Sequence, residues 1–232
     1  MRILVLNGMG GDGVLALVER RLPDTLHLVR QIEEPGRGGA TRLAGLLRDM
    51  LAGAGWPIAS LGLIAVVTGP GSFTGLRATL ALAQGIALGA GLELQGVTGG
   101  EALTQTVLDL HAATDDAPSS AMPIWCVVTA RRDRVFLMRE GHAAEAFMID
   151  AWPEPVHPVL LAGDAAALVA ARIEALGGVA YSSPVDRPDV LAIASVALDR
   201  LEGRRAAIPI LPLYVDAPEA KLPAAGLRPP PA

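Results

Sequence analysis

Apolar residues along this chain fall into short runs with two alternating spacings. Ile3–Leu6 is a compact apolar run that gives way to Asn7 and then Gly8, Gly10, Gly11 and Gly13, which predicts a strand entering a tight turn. Val14–Val18 predicts the return strand. Thr25–Gln31 alternates and predicts a third, so the chain opens on an antiparallel meander. After the glycine-rich loop Glu34–Gly39, residues Leu43, Leu46, Leu47 and Met50 recur at helical spacing, predicting a helix over Ala40–Ala54. Gly55 and Pro57 end it in the order helix ends favour. Leu63–Val67 predicts a buried strand, Gly75–Gly89 a second helix, Leu94–Val97 a strand and Thr98–Leu110 a third helix. Glu101 falls in the first turn of that helix, where the dipole favours an acid.

The polar stretch Thr114–Ser120 reads as a linker. Beyond it, strands are predicted at Ile124–Thr129, Arg134–Met138, Ala146–Ile149 and Val159–Ala162, with a proline-rich loop at Pro153–Pro158. Helices are predicted at Asp164–Leu176 and Pro188–Leu201. The Pro- and Ala-rich end from Pro223 onward reads as disordered. No repeat of fixed period is visible. The pattern divides the chain into a first lobe over 1–112, a second over 121–215 and a flexible tail over 216–232.

Composition adds limits. The 232 residues suit one large domain or two small lobes. Hydrophobic residues at 51% against 19% charged supply a sizeable core, and 3% aromatics leave Leu, Val, Ile and Ala to build it. A net charge of −5 argues against direct nucleic-acid binding, which calls for a basic face. Cys126 is the single cysteine, so no internal disulfide is available, and its apolar surroundings read as core. No stretch reaches the roughly 20 apolar residues of a spanning helix, and no leader pattern opens the chain, so a cytoplasmic, membrane-free protein is expected.

Candidate chemistry is sparse. Gly8, Gly10 and Gly13 fit a G-x-G-x-x-G template, with Glu33 twenty residues after Gly13. That spacing suits a nucleotide-binding enzyme or sensor, and a glycine-rich hairpin turn explains the same residues. Gly69-Pro70-Gly71-Ser72-Phe73-Thr74-Gly75-Leu76-Arg77 reads as a sharp strand-to-helix turn. Ser72 or Thr74 would cap the helix, and the N–H groups near Gly71 and Ser72 would either hold an anion or simply turn the chain. No Walker loop exists there, since the chain's only lysine is Lys221. Nor does Ser72 sit as a hydrolase nucleophile. His27, His111, His142 and His157 show no metal-ligand spacing. We expect no catalytic residue, no metal and no cofactor.

The Gly75–Gly91 segment is unusual. Arg77, Thr79 and Gln84 are its few polar residues, and apolar or small residues occupy every face. Such a helix is either central to the core or buried against a partner. The favoured reading is a docking surface. Leu76, Arg77, Leu80, Ala81, Gln84, Gly85 and Leu88 would face the partner from this helix. Leu43, Leu46, Leu47 and Met50 would do so from its neighbour.

The nine residues Gly69–Arg77 resemble, without interruption, the signature of the bacterial TsaB (YeaZ) family. Weaker similarities lie in order at Gly38–Leu43, Gly96–Leu103, Ala130-Arg131-Arg132, Val135-Phe136, Leu161–Ala165 and Pro212–Lys221. The resemblance covers nearly the whole chain. It implies a degenerate, two-lobed α/β fold of the actin-like ATPase (ribonuclease H-like) class. It also implies a non-catalytic accessory role in making threonylcarbamoyladenosine in tRNA. The implied partners are a TsaD-type subunit, a TsaE-type ATPase docking on that pair, and a second copy of the chain; tRNA would be reached only indirectly. The sequence departs from the family at Asn7 and Thr129, where acids are usual, at Arg134, where a Glu is usual, and at Asp216, where an Arg is usual. Loss of acids at strand ends weakens the case for independent ATP hydrolysis. Peptidase chemistry finds no support in these residues.

Overall fold

The computed structural model describes residues 1–22, 25–35, 39–114, 122–131, 133–153 and 157–215. Outside it lie most of the expected linker (115–121), parts of the loops at 36–38 and 154–156, Arg132, and the tail 216–232 with Asp216 and Lys221.

The first sheet contains β1 (Arg2–Asn7), β2 (Gly13–Arg21), β3 (Thr25–Glu34), β4 (Leu63–Gly69) and β5 (Leu94–Thr98), in the order β3-β2-β1-β4-β5. The expected meander is present. β1 runs antiparallel to β2, with Ile3 opposite Val18, and β2 antiparallel to β3. β4 joins β1 in parallel, with Ile3 opposite Leu63, and β5 joins β4 in parallel. Parallel neighbours need crossovers, and these are α1 (Gly39–Ala54) before β4 and α2 (Phe73–Ala90) before β5.

The second sheet contains β6 (Ile124–Thr129), β7 (Arg134–Arg139), β8 (Glu145–Met148), β9 (Val159–Ala162) and β10 (Ala180–Ser182), in the order β10-β9-β6-β7-β8. Here too the first strand carries an antiparallel pair on one side and a parallel pair on the other. The helix α4 (Ala166–Ala175) links β9 to β10. The two sheets therefore share one pairing scheme, although no repeat is visible in the sequence. This is the α/β arrangement of two sheets that the family resemblance implies.

Two helices join the lobes. α3 (Gly99–Thr114) packs on β4 and β5 of the first sheet and on β6, β7 and β9 of the second. α5 (Val190–Leu201) follows the last strand of the second sheet, yet lies against all five strands of the first and against α3. β4 is consequently buried along its whole length. Its sequence, Leu63-Ile64-Ala65-Val66-Val67, is the unbroken apolar run of a strand covered on both faces.

From α5 the chain runs back across the first lobe as a strap over 206–215. Arg200, whose side chain is 2% exposed, donates to the Gly96 and Ala206 carbonyls and to Glu101 Oε1. Leu213 N donates to Thr68 O at 2.8 Å, and Gln84 Nε2 of α2 donates to Ile210 O at 2.8 Å. The strap thus lies beside β4 and along α2.

Candidate protein-interaction site

Asn7 ends β1 almost fully buried, and its Oδ1 accepts from Met9 N at 3.0 Å. The glycine-rich segment then turns directly into β2, which begins at Gly13 and pairs back onto β1. It is a hairpin turn, whereas a dinucleotide fingerprint needs a helix at this point. Gly11 adopts φ +92°, and Gly10 is exposed with nothing near its α-carbon face.

This turn seats on the start of α2. Ser72 N donates to Met9 O at 2.7 Å, and Ser72 Oγ caps the helix by accepting from Gly75 N at 3.3 Å. A β-carbon added at Gly71 would lie 2.3 Å from Met9 O; one at Gly75 would lie 2.2 Å from Gly8 O. One at Gly99 would lie 2.5 Å from Met9 Sδ. Gly8 is equally tight, 2.5 Å from Gly75 O. Gly8, Gly71 and Gly75 therefore serve contact between backbone segments, while Gly99 makes room for the Met9 side chain. The Met9 side chain packs against both Gly71 and Gly99.

Two other strand-end positions lie in the second sheet. Thr129 N donates to Asp164 Oδ1 at 2.7 Å, and Arg134 opens β7 half-buried. Asp216 is outside the described residues. A cavity of about 220 Å³ opens where Asn7, Gln31, Glu33, Thr106 and Asp189 meet, and Arg187 and Glu33 pair across it at 3.1 Å. Of the histidines, His111 and His142 each bond a nearby carbonyl. Among the described residues no three His, Cys, Asp or Glu group closely enough to hold a metal ion. No helix among them is long and apolar enough to cross a membrane. Cys126 is buried beside Thr104, and desolvation pushes its thiol up to about 11.

The paired helices α1 and α2 form the other notable surface. Leu43, Leu47, Met50, Leu76 and Leu80 point inward and belong to the chain's own core. Sequence reading had placed them against a partner. A helix laid on a sheet turns its bulky apolar stripe to that sheet, and its opposite face is left to other residues. On that face Arg77, Ala81, Gln84, Gly85 and Leu88 are exposed, and Leu46 is half-buried. Leu88 is 88% exposed. Gly45 of α1 and Gly85 and Gly89 of α2 have nothing within 4 Å of an added β-carbon. An apolar groove of about 490 Å³ runs between the helices, lined by Leu47, Leu51, Trp56, Ile58, Leu82 and Ile86, with Arg48 among its residues.

Comparison with known proteins places this geometry in context. Residues 34–160, more than half of the chain, match the family model described as TsaD: tRNA N6-adenosine threonylcarbamoyltransferase. Two curated relatives are both tRNA threonylcarbamoyladenosine biosynthesis protein TsaB. The Haemophilus influenzae protein is 35% identical over 72 residues, and the Escherichia coli protein 40% over 57. The chain belongs to this family, as a TsaB (YeaZ) member.

The matched stretches cover 31% and 25% of this chain, and they span only 30% and 25% of those two TsaB proteins. The fold likeness is wider. YeaZ from Pseudomonas aeruginosa superposes with a TM-score of 0.67 at 21% identity, covering 92% of this TsaB-family chain and 99% of that one. A second structure, a protein similar to peptidase YEAZ from Pseudomonas aeruginosa, gives the same score and identity over 93% and 99%. At that identity the likeness speaks for the fold.

Proposed function

We propose that this TsaB-family chain is a non-catalytic scaffold. It pairs with a TsaD-type subunit and supports threonylcarbamoyl transfer to the tRNA adenosine next to the anticodon. The observation that carries the reading is the outward face of α2. Gly85 sits inside a helix, where glycine costs roughly 1 kcal/mol relative to alanine, and Gly89 lies in the last turn of the same helix. Nothing among the described residues requires them, because an added β-carbon would meet none of their atoms within 4 Å. Small residues that their own fold does not need suit a surface where another helix comes close. Family membership supplies the identity of that partner. Met9, packed against Gly71 just before α2, and the buried Asn7, whose side chain accepts from Met9 N, support a role without phosphate chemistry. A TsaE-type ATPase would dock on the pair, a second copy would use the same face when the partner is absent, and tRNA would be reached through the partner.

The test is co-purification with the cognate TsaD-type subunit. Ala81→Arg should abolish the complex while light scattering and circular dichroism show a folded chain. Undiminished complex formation would overturn the docking face.

A further inference from the structure

The exposed stripe of α2 lies between α1 on one side and the C-terminal strap on the other. From Arg77 to Leu88 it spans about 16 Å, or three turns, at 1.5 Å per residue. Its two ends differ in chemistry. Leu88 makes one end apolar and open to solvent. At the other end the Arg77 guanidinium lies 5.0 Å from the centroid of the Phe73 ring, and Phe73 stacks on Tyr214 of the strap with centroids 5.5 Å apart. Both rings are about half exposed, at 49% and 52%. The cation is therefore held against the helix by an aromatic stack and remains accessible.

Arg77 also has no carboxylate partner among the described residues, and α2 contains no Asp or Glu. Other surface arginines of this chain face carboxylates: Arg42 pairs with Glu34, Arg187 with Glu33 and Arg204 with Asp199. The first turn of α2 adds the positive end of the helix dipole beside Arg77. An ordered cation on an exposed, otherwise uncharged helix face is complementary to an anion.

We propose that Arg77, steadied by the Phe73–Tyr214 stack, anchors an Asp or Glu carboxylate on the partner helix that docks on α2. The same partner helix carries an apolar side chain about three turns away, against Leu88. This rests on the docking reading above and names the chemistry of its partner. It also gives the strap a role, because Tyr214 belongs to the strap and completes the stack.

The test measures the affinity of the full chain for the cognate TsaD-type subunit by calorimetry, at low and high salt, with thermal melts confirming that each variant is folded. Arg77→Ala should weaken binding about tenfold or more, and Arg77→Glu further, because it sets two like charges together. Raising the salt should narrow the gap between wild type and Arg77→Ala. Tyr214→Ala should give a smaller loss in the same direction. An Asp- or Glu-to-Arg change on the partner's docking helix should restore binding to Arg77→Glu and to no other variant.

If Ala81→Arg binds as wild type, the docking reading itself fails. If Ala81→Arg abolishes binding while both Arg77 variants stay within about twofold of wild type, only the anchor is overturned. The acids that follow in sequence, Asp216 and Glu219, are neutralised together as D216N and E219Q. No change is expected, and a change in affinity would assign the partner of Arg77 to this chain's own tail and overturn the inference.

Discussion

Gly85→Ala separates the stability of the chain from its association. The position is exposed, sits inside α2, and has no atom of the described residues within 4 Å of the new methyl group. The substitution should therefore gain what alanine offers in a helix interior, about 1 kcal/mol. For a chain of this size that corresponds to a rise in Tm of roughly 2–4 °C. Gly45 and Gly89 are equally open. Gly45→Ala, inside α1, should gain a similar amount, and Gly89→Ala, in the last turn of α2, less. Binding should move the other way, because each methyl group stands where a partner helix approaches. The assay pairs thermal melts of the isolated chain with titration against the TsaD-type subunit. A lower Tm would show that the chain itself needs these glycines. A higher Tm with unchanged affinity would show that no partner comes close to them. Either result refutes the argument for the docking face.

Two further outcomes are expected. Gly71→Ala should destabilise the fold by about 1–3 kcal/mol, because its β-carbon would fall 2.3 Å from Met9 O, and this reads directly as a lower denaturation midpoint in urea. Cys126 gives a pH dependence: burial raises its thiol from 9.0 to about 11. The folded state holds that proton more tightly, so stability should fall as pH rises from 9.0 to about 11, by at most about 3 kcal/mol, and Cys126→Ala should flatten that slope in unfolding curves.

Much of the fold was legible because buried strands announce themselves. β6 and β9 were read with their observed bounds, since each is a continuous apolar run between polar or proline-containing stops. β10 was missed. Ala180-Tyr181-Ser182 is short and largely exposed, and it is a strand only because it pairs with β9. The docking face was half legible. Helical periodicity shows which residues share a stripe, but the sheet beneath decides which stripe turns inward, and it took the leucines. The informative signal was the small residues opposite them, Ala81, Gly85 and Gly89. The strap over 206–215 has no periodicity, so nothing in its sequence tied Tyr214 to Phe73.

The path of α5 has a consequence for how the protein is made. One face of the first sheet is complete only when a helix about 100 residues beyond β5 arrives. At synthesis rates of about 5–20 residues per second, the nascent first lobe waits roughly 5–20 s with that apolar surface uncovered. A chain that stops short of Val190 leaves the ribosome with the surface still bare, as a substrate for chaperones and aggregation. The two lobes are thus separate in their sheets but bound to one another in their birth.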